Sequence, residues 1–90
     1  MNKEWFNLIM EFVKNGRQTK GLKCPNCGAE NIDYMYVTNK SNVGFMAIWC
    51  NSCKVGSYAC RTVTPKNVKT VTFEELDKHP ELIPHYTIAQ

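Results

Sequence analysis

The sequence predicts a small α+β fold, and three features carry that expectation. A stretch near the N-terminus repeats apolar residues at helical spacing, and three later runs are rich in the branched and aromatic residues of strands. Around those runs lie two C-x-x-C pairs, separated by 22 residues, in a chain of 90. A chain this short buries a limited fraction of its surface, so an added staple is expected.

The apolar fraction of 43% is that of a globular protein, not a disordered one. No apolar run approaches the roughly 18 residues of a membrane span. Glu4 and Glu11 interrupt the first apolar stretch and no small-residue cleavage site comes after it, which argues against a signal peptide. Four of the five cysteines fall in the two pairs. Without a secretion signal, that favours metal over disulfides and a cytoplasmic location. The formal charge is +3. Zinc on four thiolates would bring it to about +1, a weak field for nucleic acid. The basic excess sits at the end of the N-terminal arm, in Arg17, Lys20 and Lys23, whereas residues 64–90 hold more acids than lysines.

Residues 3–15 read as an amphipathic helix. Trp5, Leu8, Ile9, Phe12 and Val13 share one face, widened by Phe6 and Met10, with Asn2 placed as N-cap and Gly16 as terminator. The bland use of that face is core packing; the sharper one is a dimer or partner contact through Phe6 and Met10. Residues 17–23 form a polar connector. Residues 32–38, 43–50 and 56–63 read as strands, with a turn over 39–42 and Pro65 after the third. Thr72 and Glu75 have capping-box spacing, so a short helix is expected over about 73–78, before Pro80, and a tail after it.

The two pairs carry the clearest chemistry. Two residues between cysteines let one tight turn aim two sulfurs at one ion, and two such turns supply the four thiolates that zinc prefers. The gap between Cys27 and Cys50 suits a hairpin that returns the second turn beside the first. Gly28 tolerates the positive φ that the first turn needs, while Lys54 holds the matching place in the second and is less suited to it. Iron also accepts four thiolates. A redox dithiol would need a βαβ context with the cysteines opening a helix, whereas Cys24 leads into a turn and then a strand. Cys60 is left over and is expected to be a buried thiol on the third strand, and His79 and His85 to be solvated tail residues.

Cys24-Pro25-Asn26-Cys27-Gly28 and Trp49-Cys50-Asn51-Ser52-Cys53 resemble the two knuckles of the zinc-ribbon superfamily. The resemblance covers about residues 22–63. It implies a three-stranded antiparallel sheet with one structural zinc per chain, held at one end by Cys24, Cys27, Cys50 and Cys53. It does not imply one function. The expected organisation is an N-terminal helix and connector (1–21), a ribbon (22–64) and a C-terminal short helix and tail (65–90).

With Thr38 set opposite Val43, the side chains of Tyr34, Tyr36, Phe45 and Trp49 share one sheet face, and Met35, Val37, Met46 and Ile48 share the other. Two apolar faces point to protein contact, either with a partner or with a second copy. The alternative is a nucleic-acid-binding ribbon, such as a transcription accessory factor. There Tyr34, Tyr36, Phe45 and Trp49 would stack on bases, and Arg17, Lys20, Lys23 and Arg61 would meet phosphates. No acid–base pair, activated nucleophile or phosphate-binding glycine loop stands out, so neither catalysis nor a small-molecule substrate is expected.

Overall fold

The computed structural model describes residues 2–89. Helix α1 spans Lys3–Lys14. Its first turn is closed by Asn2, whose side-chain oxygen accepts from the amides of Glu4 (2.9 Å) and Trp5 (3.2 Å). Its last turn is closed by a Schellman pairing. The Gly16 amide donates to Val13 and the Arg17 amide to Phe12, with Gly16 at φ 70°. Trp5, Leu8, Ile9 and Phe12 form the buried face. Val13 is not among them. It stands seven residues after Phe6 and three after Met10, so it joins those two in solvent.

The sheet is larger than expected. Strands β1 (Ile32–Thr38), β2 (Val43–Cys50) and β3 (Val55–Val63) form an antiparallel meander. Beyond them, β4 (Thr70–Thr72) adds in parallel to β1 and β5 (Thr87–Ile88) adds in parallel to β3. The result is a mixed five-stranded sheet in the order β4-β1-β2-β3-β5, not a three-stranded antiparallel one. A meander leaves both outer edges with unpaired backbone groups, and the C-terminal chain pairs with part of each. Both added strands are too short to show a sequence period.

The β1–β2 register also departs from the expectation. Thr38 pairs with Gly44, not Val43. The Asn39 amide donates to the Val43 carbonyl, which leaves a three-residue loop with Asn42 at φ 65°. Loops of this length put their last residue in the left-handed region, and the Asn39 side chain caps this one by accepting from Ser41 and Val43. A one-residue slip exchanges faces. Ile32, Tyr34 and Tyr36 therefore lie with Met46, Ile48 and Cys50 and pack against α1. Phe12 meets Tyr34 at a ring separation of 4.8 Å. Phe45 and Trp49 lie across the sheet with Val37 and Ala47.

The C-terminal chain covers that second face. Helix α2 (Phe73–Lys78) begins at the expected capping box of Thr72 and Glu75. Its Phe73 meets Phe45 at 5.9 Å. A 3-10 turn (Pro80–Leu82) leads to Tyr86, which stacks on Trp49 at 5.8 Å. The Tyr86 hydroxyl donates to the Ser57 carbonyl at 2.9 Å. Burial, helped by nearby Tyr58, pushes this phenol up to about 12, so it keeps its proton. On the edge of β1, Lys69 pairs with Asp33 and lies 5.1 Å from the Tyr34 ring centre.

Two glycines are required by close approach. A Cβ on Gly44 would lie 1.8 Å from the Val37 carbonyl oxygen, and one on Gly56 would lie 2.3 Å from that of Ile48. Between these sites β3 bulges: Cys60 and Arg61 together oppose Phe45, and Arg61 takes φ 51°. Cys60 is exposed, not buried as expected from its residue type.

The two faces of α1 should respond differently to truncation. Phe12 is fully buried and Phe6 is 49% exposed. Phe12→Ala should lose about 3–5 kcal/mol in urea denaturation, whereas Phe6→Ala should stay within about 0.5 kcal/mol of wild type. Equal losses at the two positions would contradict this packing.

Candidate metal centre

Each pair of cysteines sits on a turn built by backbone hydrogen bonds. In the first, the Gly28 amide donates to the Cys24 carbonyl (2.9 Å) and the Cys24 amide to Ala29 (2.9 Å). In the second, the Lys54 amide donates to the Cys50 carbonyl (3.0 Å) and the Asn51 amide to Asn31 (2.9 Å). Gly28 takes φ 79° and Lys54 takes φ 57°, so the lysine adopts the glycine-like conformation after all. That geometry costs a non-glycine residue about 1–2 kcal/mol. Side chains brace the second turn: Trp49 Nε1 donates to Asn51 and Asn31 Nδ2 donates to Ser52, each at 2.9 Å.

The β1–β2 ladder brings the turns together, because Ile32 pairs with Cys50 at its end. All four sulfurs then lie within 4.8 Å of one another. Cys24 Sγ is 3.6 Å from Cys53 Sγ, and Cys27 Sγ is 3.7 Å from Cys50 Sγ. Disulfide sulfurs would stand at about 2.05 Å. Zinc–sulfur bonds of about 2.3 Å in a tetrahedron put the sulfurs about 3.8 Å apart. The donor set and the spacing both fit a four-coordinate metal ion. Cys24 and Cys50 are buried, Cys53 is half-buried and Cys27 is exposed, so an ion here would have one wet flank.

Electrostatics divide the thiols. Burial pushes Cys24 up to about 12, although the Cys27 and Asn26 amides at its sulfur favour the thiolate. Cys27 is raised as well: the Ala29 amide favours its thiolate, but desolvation and the Cys50 thiol outweigh that. At Cys53 desolvation is outweighed by the Asn26 side chain, the Val55 amide and the neighbouring thiols, which bring it down to about 7. Asn26 thus links the two turns. Sequence reasoning missed it, although an amide side chain inside the first C-x-x-C pair was the available signal.

The other residues singled out in the sequence do not share one surface. Tyr34, Tyr36 and Trp49 are buried, and Phe45 is half-buried beside Phe73. The register shift separates the two tyrosines from Phe45 and Trp49, so the single aromatic face expected of them does not form. Lys20 and Lys23 are exposed on the connector into the first turn, and Arg17 is half-buried. Arg61 is exposed at the bulge, five β2 residues up the ladder from Cys50, or about 17 Å. Phe6 and Met10 are both exposed on α1. No helix among the described residues is long and apolar enough to cross a membrane.

Comparison with protein-family models, with curated proteins and with solved structures finds no match.

Metal loading must strip protons from thiols that hold them at neutral pH, chiefly Cys24 and Cys27. Protons therefore compete with the metal, so apparent affinity for added zinc should already fall with pH at neutrality, and more steeply below about 7, where Cys53 also takes up its proton. Competition titrations with a chelator at several pH values would measure this, and a pH-independent affinity would contradict it. Cys24→Ser or Cys50→Ser should abolish stoichiometric metal by elemental analysis, whereas Cys60→Ser should leave it intact.

Proposed function

We propose that this chain is a small zinc-ribbon protein in which one structural zinc staples the sheet and the surface serves as a protein-interaction module. The observation that carries the interaction reading is the exposed apolar stripe of Phe6, Met10 and Val13 on α1, which nothing in the described chain covers. The structural role of zinc is supported by a donor set that is complete with four protein sulfurs and leaves no position for a substrate. For the same reason the reading is that of a binding protein, not an enzyme. A chain that keeps five free cysteines fits a reducing compartment, the cytoplasm included.

Nucleic-acid binding is the weaker reading. The rings it would need are largely in the core, and its four basic residues are divided between the connector and the bulge. Purified zinc-loaded protein should bind single- or double-stranded nucleic acid no tighter than about 1 µM at physiological salt, fading as salt rises. Fluorescence anisotropy would test this. Submicromolar, salt-resistant binding that is lost in a Lys20→Glu, Lys23→Glu variant would replace the protein-interaction reading.

A further inference from the structure

Two surfaces of this chain complement each other. The first is the outer face of α1, where Phe6, Met10 and Val13 follow one another at steps of four and three residues and stay in solvent. Lys3 lies one turn before Phe6 and Lys14 one turn after Met10, so exposed ammonium groups border the stripe. Glu4 and Glu11 fall on the far flank of the helix, at about 100° per residue. The second surface is a groove of about 370 Å³ between the sheet and the C-terminal segment. Phe45, Ala47, Leu76, Pro80, Ile83 and Tyr86 line it, with the carboxylate of Asp77 among them. The surrounding α2 and the turn after it carry Glu74, Glu75 and Glu81 against Lys78, with Glu75 engaged in the Thr72 cap and Glu81 beside His79.

We propose that the stripe of one copy docks on the groove of a second copy, so that the chain assembles head to tail. The proposal rests on the protein-interaction reading and names its partner. The groove is sized for a few side chains, not for a helix, so α1 would lie across it with Phe6 and Met10 as anchors and Lys3 and Lys14 over the acids of α2. Buried apolar anchors supply most of such affinity, and the charges set orientation. An antiparallel two-fold pairing of α1 with α1 is disfavoured, because Lys3 of each copy would then meet Lys14 of the other on the same flank. Stripe and groove are different surfaces, so the contact is heterologous, and every open assembly keeps one free stripe at one end and one free groove at the other until a ring closes.

The test uses zinc-loaded full chain, with mass measured by light scattering and analytical ultracentrifugation across concentration and salt. Wild type should form a concentration-dependent series or a closed ring, weakened by salt. Phe6→Glu and Ile83→Lys should each weaken self-association by about tenfold or more while retaining zinc. Asp77→Lys, at an exposed site, serves if Ile83→Lys fails to fold. The decisive arm mixes the helix variant with the groove variant: one native stripe and one native groove remain, so the two should pair one to one and stop there.

Three results overturn the proposal: wild type that stays monomeric at high micromolar concentration, loss with Phe6→Glu but not with either groove variant, or a mixture that does not pair. A monomer that binds anionic vesicles through Phe6 also overturns it and assigns the stripe to a lipid surface. A monomer alone leaves the protein-interaction reading standing, since that reading is decided by the nucleic-acid measurement and by protein complexes that survive nuclease.

Discussion

Because Ile32 pairs with Cys50, the start of β1 lies beside the end of β2, and the turn that carries Cys24 and Cys27 meets the one that carries Cys50 and Cys53. That register fixes more than the cysteines. It turns Tyr34 and Tyr36 toward α1 and sends Phe45 and Trp49 to the face that the C-terminal segment covers. Had the loop between β1 and β2 been one residue different, every side chain of one strand would have changed partner across the ladder. The conformation of Asn42 in a three-residue loop is thus coupled to the composition of both cores and to the position of the cysteine cluster.

The cluster brings its own difficulty. Four thiolates within 4.8 Å would repel one another, and burial disfavours charge on Cys24. A bound cation reverses both effects. Without one, the fold must hold the cluster largely as thiols, with amides aimed at sulfurs that carry little charge. The protein core on either side is modest: one helix face of four buried residues below the sheet and a few rings above it. Metal binding energy at such a site is available to folding itself.

The local features were legible in the sequence because each depends on near neighbours. The Asn2 cap, the Thr72 and Glu75 box, the three long strands and the two cysteine turns all show in short windows. The features that were not legible depend on distant partners. Strands β4 and β5 are short and exist because the edges of β1 and β3 accept them. The faces of the sheet are set by a loop whose length could not be read from Asn39 to Asn42 alone. Val13 looked like core because it lies four residues after Ile9, but it also lies seven residues after Phe6, and it stays in solvent with Phe6 and Met10. Lys54 shows the converse: its residue type argued against a left-handed turn, and the second cysteine turn imposes one regardless.

The bulge at Cys60 and Arg61 has a bearing on how chains of this kind avoid one another. Strand β3 lies near an outer edge, and β5 pairs only with its first two residues, Val55 and Gly56. The remainder carries Tyr58 and Val63, both exposed, and could template a foreign strand. Placing two residues against Phe45 there, with an arginine in a left-handed conformation, bends the backbone and breaks the even row of amides and carbonyls that strand addition needs. That irregularity guards the open part of β3 against edge-to-edge aggregation.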